Sequence, residues 1–342
     1  MNAPRSESLR APASHTGADT SASGPRAVFA RYQQAVLANS ADQMAEVFAP
    51  DGVTEFPFRL PGIPPRVEGR EGIRAWLTPA VGTAFRFEEY RDVVVHDTTD
   101  PEVIVVEHSI AGTTAANGQP AQISYVYVLR ARDGEIVHLR DYANPIEGMR
   151  AAEGMGLGAT ASPADQPDHP APRDPGDPGD PGDPVSRNDP TVPDPMAEPT
   201  TPREVYAALV RAIVAADADA AADLYAEDGV LELVFTRPGI VPRRQGREDI
   251  REAARAGWDA LPLRFESHRT VALHDSPDPE VVIAEFELAG TSLAGGRAFT
   301  LSMLVILRVR DGHIVHQREY VDVLGIAAAS DRLPAVLASL TP

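Results

Sequence analysis

The sequence predicts an α+β protein made of two cone-shaped barrel-like domains in tandem, each a curved antiparallel sheet wrapped around helices. Three observations predict it. Two motifs recur at a nearly constant offset: PGIPPRVEGREGI from Pro61 returns as PGIVPRRQGREDI from Pro238, and RDGEIVHLRDY from Arg132 returns as RDGHIVHQREY from Arg310, 177 and 178 residues on. A repeat of that length is one fold used twice. Each copy also carries the same alternation of helical and strand patterns. Between the copies runs a stretch containing DPGDPGDPGDP (Asp174 to Pro184) with almost no large apolar side chains, which cannot offset its ordering entropy by burial. The organisation that follows is a disordered leader over 1–25, a first domain over 26–150, a disordered Pro/Asp/Gly linker over 151–201 and a second domain over 202–342, within the two-domain range that 342 residues suggest.

In the first copy Phe29, Tyr32, Val36 and Leu37 recur at helical spacing, and Met44, Val47 and Phe48 mark a second short helix with Ser40 as its N-cap. Val205, Leu209, Val210, Ile213 and Leu224 answer in the second copy. A short strand is expected over Val53 to Phe58, an irregular Pro-rich loop after it, and a helix entered at Gly69 that carries Ile73 and Trp76. Four strand-like runs follow, Phe85 to His96, Glu102 to Gly112, Gln122 to Arg130 and Glu135 to Ala143. Turn pairs separate them: Asp100-Pro101, Asn117-Gly118 and Asp133-Gly134. A curved sheet wrapped on helices leaves an apolar pocket at its open end.

Composition excludes several function classes. With 50 acidic against 31 basic residues and a formal charge of -19, a phosphate-binding or anionic-membrane surface is not expected, so nucleic acid and membrane are set aside as partners. The absence of Cys removes disulfides, thiolate nucleophiles and Cys-based metal sites. No His/Asp/Glu cluster has metal-ligand spacing and no Gly-rich phosphate loop is present, so neither metal nor organic cofactor is expected. The first residues show no apolar signal segment, and no eighteen apolar residues run together; a cytoplasmic, soluble protein is expected.

The order of elements, with RYQQAVLANSADQMAEVFAPDGVTEF, GREGI and RDGEIVHLRDYANP, resembles the nuclear transport factor 2-like superfamily over about Arg26 to Met149 and Pro202 to Gly325. That superfamily includes ketosteroid isomerase, the SnoaL-like polyketide cyclases, limonene-epoxide hydrolase and the phenazine-biosynthesis A/B proteins. The resemblance is specific for the fold and weak for chemistry, since these proteins share a cone and differ in what lines it.

On the last strand of the first copy one parity carries Val137, Leu139, Asp141 and Ala143, and in the second copy Val315, Gln317, Glu319 and Val321. A carboxylate among apolar neighbours tends to a raised pKa and can move a proton near neutral pH. The alternative is an ordinary ion pair of Asp141 with Arg140 or Arg130, or a strand end curling into solvent. The resemblance favours the acid, because RDYANP is similar to the segment where limonene-epoxide hydrolase and the phenazine A/B proteins place theirs. Tyr32 lies on the apolar face of the first helix, and Tyr125 and Tyr127 share a parity. By the resemblance to ketosteroid isomerase, Tyr32 falls at the oxyanion-hole tyrosine and Tyr127 near its partnering acid, so two phenols could hold a carbonyl oxygen as charge develops on it. Packing with the hydroxyl at the rim is the alternative for either ring.

The resemblance also subtracts. The general base of ketosteroid isomerase would fall at Phe56, and at Leu233 in the second copy, while TEFPFRLPG lacks the Tyr and Asn that hold water in limonene-epoxide hydrolase. Steroid isomerisation and epoxide hydrolysis are therefore not expected. Glu107 and its repeat mate Glu285 sit on strands apolar on both parities; Glu107 is a candidate second acid, or else a sheet-edge or interface carboxylate. Phe56, Phe58, Trp76, Tyr125 and Leu139 are expected to contact an apolar substrate. Tyr32 and Tyr127 become Leu209 and Val305 in the second copy, which keeps Glu319 and Glu285 as its acids. Chemistry is thus expected in the first domain, of a cyclase, isomerase or dehydratase type on an apolar carbonyl-bearing small molecule of secondary metabolism. A non-catalytic ligand-binding or interaction module of the same fold is the alternative. Members of the superfamily pair through the sheet, which implies an intramolecular pseudo-dimer here and leaves further self-association open.

Overall fold

A computed structural model describes residues 23–154 and 199–340, apart from 59–61, 83, 116 and 238. The leader and almost all of the acidic linker lie outside the described residues. The first domain runs α1 (Pro25–Leu37), α2 (Ala41–Glu46), β1 (Phe48–Glu55), β2 (Arg66–Glu68), α3 (Arg70–Leu77), β3 (Phe85–Asp97), β4 (Val103–Thr114), β5 (Pro120–Arg132), β6 (Glu135–Ala143) and α4 (Pro145–Gly154). The second repeats it as α5 (Pro202–Ala215), α6 (Ala218–Asp223), β7 (Tyr225–Leu233), β8 (Arg243–Gln245), α7 (Arg247–Asp259), β9 (Leu263–Asp275), β10 (Val281–Ser292), β11 (Ala298–Arg310), β12 (His313–Val321) and α8 (Val323–Ala329), and adds α9 (Leu333–Leu340). Helix α4 runs past the domain boundary expected at 150, with Ala151 fully buried.

The recurring motifs are local structural devices. In GREGI and GREDI the glycines Gly69 and Gly246 cap α3 and α7 at φ +74° and +94°, a region that costs a side chain strain. The arginine that follows pins the helix to the sheet: Arg70 Nε donates to the Phe48 carbonyl and Arg247 Nε to that of Tyr225, both at 2.7 Å. In RDG the Asp-Gly pairs take positive φ at both central positions, as a tight turn between β5 and β6 or β11 and β12 requires. Ser40 caps α2 as expected, its side chain accepting from the Gln43 amide at 3.2 Å.

Each sheet has six strands, in the order β2-β1-β6-β5-β4-β3 and β8-β7-β12-β11-β10-β9. The four long strands form the expected antiparallel meander, but the sheet is mixed and not closed: β1 pairs parallel with β6, and β2 adds an edge beyond it. The parallel pairing arises because β1 is separated from β6 by most of the domain and returns to it by a crossover. Alternation along the strands then divides the side chains into two faces. One face of the first sheet closes on α1, α2 and α3 around Val28, Phe29, Tyr32, Ile104, Val106, Tyr127 and Leu139. The second domain does the same around Val205, Leu209, Phe286, Met303 and Val305.

The opposite faces meet each other. Val103, Val105, Val126 and Tyr142 of the first sheet form one apolar cluster with Ile283, Leu304, Ile306 and Tyr320 of the second. Phe58 packs there, 5.0 Å from Tyr142 and 6.0 Å from Phe235 between ring centroids. Among the described residues no helix is long and apolar enough to cross a membrane.

Candidate functional site

Strand register brings the predicted acid and phenol side by side. Asp141 on β6 lies directly opposite Tyr127 on β5, Tyr127 is opposite Val106 on β4, and Tyr125 is opposite His108. Residues so paired have Cβ atoms about 5 Å apart and share one face. Helix α1 then lays Tyr32 across the cone, 6.3 Å from the Tyr127 ring and 5.8 Å from Phe48. His108 sits among Tyr90, Tyr125 and Tyr127, its ring 4.4 Å from that of Tyr127. The interior of the first cone is thus four phenols, an imidazole and a carboxyl group.

The electrostatics of this group are those of a low-dielectric interior. Asp141 Oδ1 is enclosed and has no hydrogen-bond partner, and burial pushes the carboxyl up to about 8, so it is largely protonated at neutral pH. The residue as a whole keeps partial exposure, as do Tyr90 and Tyr125, so the cluster reaches towards the mouth of the cone. Burial first, and then the nearby Asp141 charge, raises the Tyr32, Tyr125 and Tyr127 hydroxyls. The Tyr90 hydroxyl is raised likewise, by burial above all, and has no partner. Burial pushes His108 down to about 3 against a weaker upward pull from the Val106 backbone, and neither ring nitrogen makes a well-formed hydrogen bond. At neutral pH the interior therefore presents uncharged proton donors, a set suited to an oxygen on which negative charge develops.

Of the residues expected at the substrate, Phe56 and Trp76 pack at a tilt of 46° with ring centroids 4.7 Å apart, and Trp76 packs against the interior cluster with Tyr125 and Leu139. Two expectations are corrected. Phe58 lies in the contact between the domains, because it follows the end of β1 where the chain turns to the outer face. Glu107, 7% exposed, is no acid of the cone: as a β4 neighbour of His108 it points through the opposite face. His96 Nε2 lies 2.7 Å from its Oε1, Arg318 Nε of the second domain donates to its Oε2 at 2.6 Å, and the Tyr320 hydroxyl donates there too. Glu285, 1% exposed, mirrors it, meeting His274 at 2.8 Å, the Tyr142 hydroxyl at 2.6 Å and Arg140 at 3.3 Å. Burial pushes both carboxyls up, yet the His and Tyr hydrogen bonds and the Arg charge prevail and hold them down to about 2.

His108 and Tyr90 escaped the sequence reading for identifiable reasons. β4 is apolar on both faces, so alternation there gives no direction. β3 shifts register between Phe87 and Glu89 and again between Arg91 and Val94, and the first shift turns Tyr90 inward against the parity of Phe87. The repeat supplied a usable clue, since His108 becomes Phe286, a core residue.

The second cone keeps the position of the acid and changes its company. Tyr32, Tyr125, Tyr127 and His108 become Leu209, Met303, Val305 and Phe286. Glu319 replaces Asp141, pushed up to about 7 by burial against the Gln317 amide, which donates to its Oε2 at 2.8 Å. The Tyr225 hydroxyl donates in turn to Gln317 Oε1 at 2.7 Å. Among the described residues no group of His, Asp and Glu is arranged to hold a metal ion.

Comparisons with known proteins agree with this architecture. A family profile described as a SnoaL-like domain matches residues 29–139 and 206–317. An uncharacterized PhzA/B-like protein of Pseudomonas aeruginosa is 37% identical over 111 residues, 32% of this chain and 77% of the relative. The uncharacterized protein YesE of Bacillus subtilis is 27% identical over 116 residues, 34% of this chain and 78% of its own. Among solved structures, a putative isomerase from Bacillus subtilis is 25% identical with a TM-score of 0.36, covering 38% of this chain and 93% of that one. A putative polyketide cyclase from Xanthomonas campestris is 21% identical with a TM-score of 0.30, covering 34% and 88%.

Proposed function

Since the chain belongs to the SnoaL-like domain family, we propose that its first domain is an enzyme of the cyclase or isomerase type, working by general acid-base chemistry on an apolar, carbonyl-bearing small molecule. The observation that carries the reading is the unpartnered Asp141 carboxyl beside Tyr127 and across from Tyr32. An acid whose pKa lies near 8 holds its proton at neutral pH and can release it to a reacting carbon or oxygen. Tyr32 and Tyr127 donate to the carbonyl oxygen as it becomes an enolate or alkoxide, and Asp141 delivers or recovers the proton. Phe56, Trp76, Tyr125 and Leu139 supply apolar wall. Neutral His108 keeps charge out of the cone and, stacked on Tyr125, holds the phenols in place. The similarity to an uncharacterized PhzA/B-like protein supports a substrate drawn from secondary metabolism.

The paired domains complete the proposal. Each sheet offers a Glu, an Arg and a Tyr at matched register to the other, which supports an intramolecular pseudo-dimer. Comparing metabolites in a strain lacking the gene, and in that strain carrying the parent or Asp141→Asn, tests the catalytic reading. The parent should restore a missing product and the variant should not. Full restoration by a stably expressed Asp141→Asn chain would leave ligand binding without catalysis as the role of the domain.

A further inference from the structure

We infer that Glu285 of the second domain is a positioning residue for Asp141 of the first: it grips Arg140 and Tyr142, the residues on either side of the acid, and so makes the first cone depend on the docked second domain. The inference rests on the proton-carrying role proposed above for Asp141. It starts from alternation along β6. Asp141 points into the cone beside Tyr127, so its two chain neighbours point out through the sheet, towards the other domain.

There both meet one carboxylate. The Tyr142 hydroxyl donates to Glu285 Oε2 at 2.6 Å, and Arg140 Nη1 lies 3.3 Å from the same oxygen. The other oxygen, Oε1, is tied to its own sheet by His274 Nε2 of β9 at 2.8 Å. Glu285 thus has one oxygen anchored in the second domain and uses the other to hold the β6 segment from both sides of Asp141. Tyr142 is steadied further by the Phe58 ring, 5.0 Å away between centroids, and Arg140 by Glu55 of β1, to which its Nε donates at 2.9 Å.

The acid needs such a hold because its own sheet secures it on one side. β5 places Tyr127 opposite Asp141, whereas β1 pairs with β6 as far as Glu55 opposite Arg140 and stops there. The second domain goes one residue further: Leu233 lies opposite Glu319, and the Val234 amide donates to the Glu319 carbonyl at 3.0 Å. The residue matching Val234 in the repeat is Pro57, which has no N–H to give. The first domain therefore cannot make the bond that fixes the backbone of the acid in the second. Nor does the cone replace it, since Asp141 Oδ1 has no partner. An acid so placed stands where its backbone puts it, and a misplacement of about 1 Å at a reacting group costs up to on the order of a hundredfold in rate.

The test reads the Asp141 proton directly, by infrared titration of the full chain prepared with isotope-labelled aspartate. Protonated carboxyls absorb apart from carboxylates, the label separates Asp141 from Glu319, and Asp141→Asn identifies the band. The groups facing Asp141 are Tyr32 of α1, Tyr90 of β3, His108 of β4 and Tyr125 and Tyr127 of β5, all uncharged at neutral pH, so the band reports how buried the carboxyl is. In the parent it should fade with a midpoint near about 8. Tyr142→Phe removes one hold without changing any charge, and Glu285→Asp keeps the charge and shortens the reach. In each the midpoint should fall by about one pH unit or more as the carboxyl turns towards water. Tyr320→Phe loosens the mirrored contact with Glu107 and should leave the Asp141 band in place. In the gene-deletion strain Tyr142→Phe should restore on the order of tenfold less product than the parent. A parent-like midpoint in both Tyr142→Phe and Glu285→Asp, an equal shift in Tyr320→Phe, or parent-level product from Tyr142→Phe where Asp141→Asn makes none would each overturn the inference. Tyr142→Phe keeps the ring against Phe58, so the test does not depend on the Glu285 variant folding. An active Asp141→Asn chain with both midpoint shifts in place would support the positioning and sink the catalytic reading of Asp141 alone.

Discussion

The two domains have one backbone and two interiors. Strand order, the glycine caps of α3 and α7, the Asp-Gly turns and the sheet-to-sheet face repeat, down to Glu107 with Arg318 and Tyr320 mirrored by Glu285 with Arg140 and Tyr142. Inside the cones, four phenols and an imidazole accompany Asp141 in the first, while the Gln317 amide, bonded to Tyr225, and apolar side chains such as Leu209, Phe286, Met303 and Val305 accompany Glu319 in the second. The difference teaches that duplication held constant what the fold and the docking face need and released what the pocket needs. Docking residues are constrained from both sides, each by its partner on the other copy. A pocket residue answers only to its own ligand.

The comparison breaks most sharply if the two acids prove interchangeable. Asp141→Asn is expected to lower turnover by on the order of 10²- to 10⁴-fold, the range for removing a general acid, while Glu319→Gln leaves product formation by the first domain intact. Equal losses, measured as product per mole of folded protein, would mean that both cones act on one substrate.

The docking face should behave in the opposite, symmetric way. Glu107→Leu takes the acceptor from Tyr320 and His96 and leaves Arg318 with Glu232, and Glu285→Leu takes it from Tyr142 and His274 and leaves Arg140 with Glu55, so each should cost about 3 kcal/mol in denaturant unfolding. A large loss from one and none from the other would show that the mirrored contacts are not energetically equivalent. The phenols come next: Tyr32→Phe should lower turnover on the order of a hundredfold with little change in stability. An unaltered rate would return that ring to a packing role.

The smallest effect is in the pH profile of stability. The folded pKa of Asp141 is raised to about 8 from an unfolded value of about 3.9, so its contribution is fully present below the unfolded value and is lost as pH rises towards the folded one. Across that window the loss approaches about 1.4 kcal/mol per pH unit before discounting for the partial exposure of the residue. Asp141→Asn should flatten the parent's decline in melting temperature between about pH 5 and pH 8. Parallel profiles for parent and variant would show that the carboxyl is solvated and that the cone lends it no special acidity.

The sequence by itself determined the repeat, the order of elements, Ser40 as a cap, the Gly and Asp-Gly turns and the inward parity of Asp141, Tyr127 and Leu139. Each of these rests on spacing along the chain, and the local backbone fixes it. Tertiary structure alone decided the rest. Glu107 and Phe58 left the pocket for the docking face because β4 is apolar on both sides and β1 ends just before Phe58, so their direction depends on which sheet face meets the other domain. Tyr90 entered the cone through register shifts in β3, and Tyr225 reached Gln317 only because β7 pairs parallel with β12 across 92 residues. Alternation is a property of a strand, whereas what lies opposite each face is a property of strands and domains that the chain brings together from far apart.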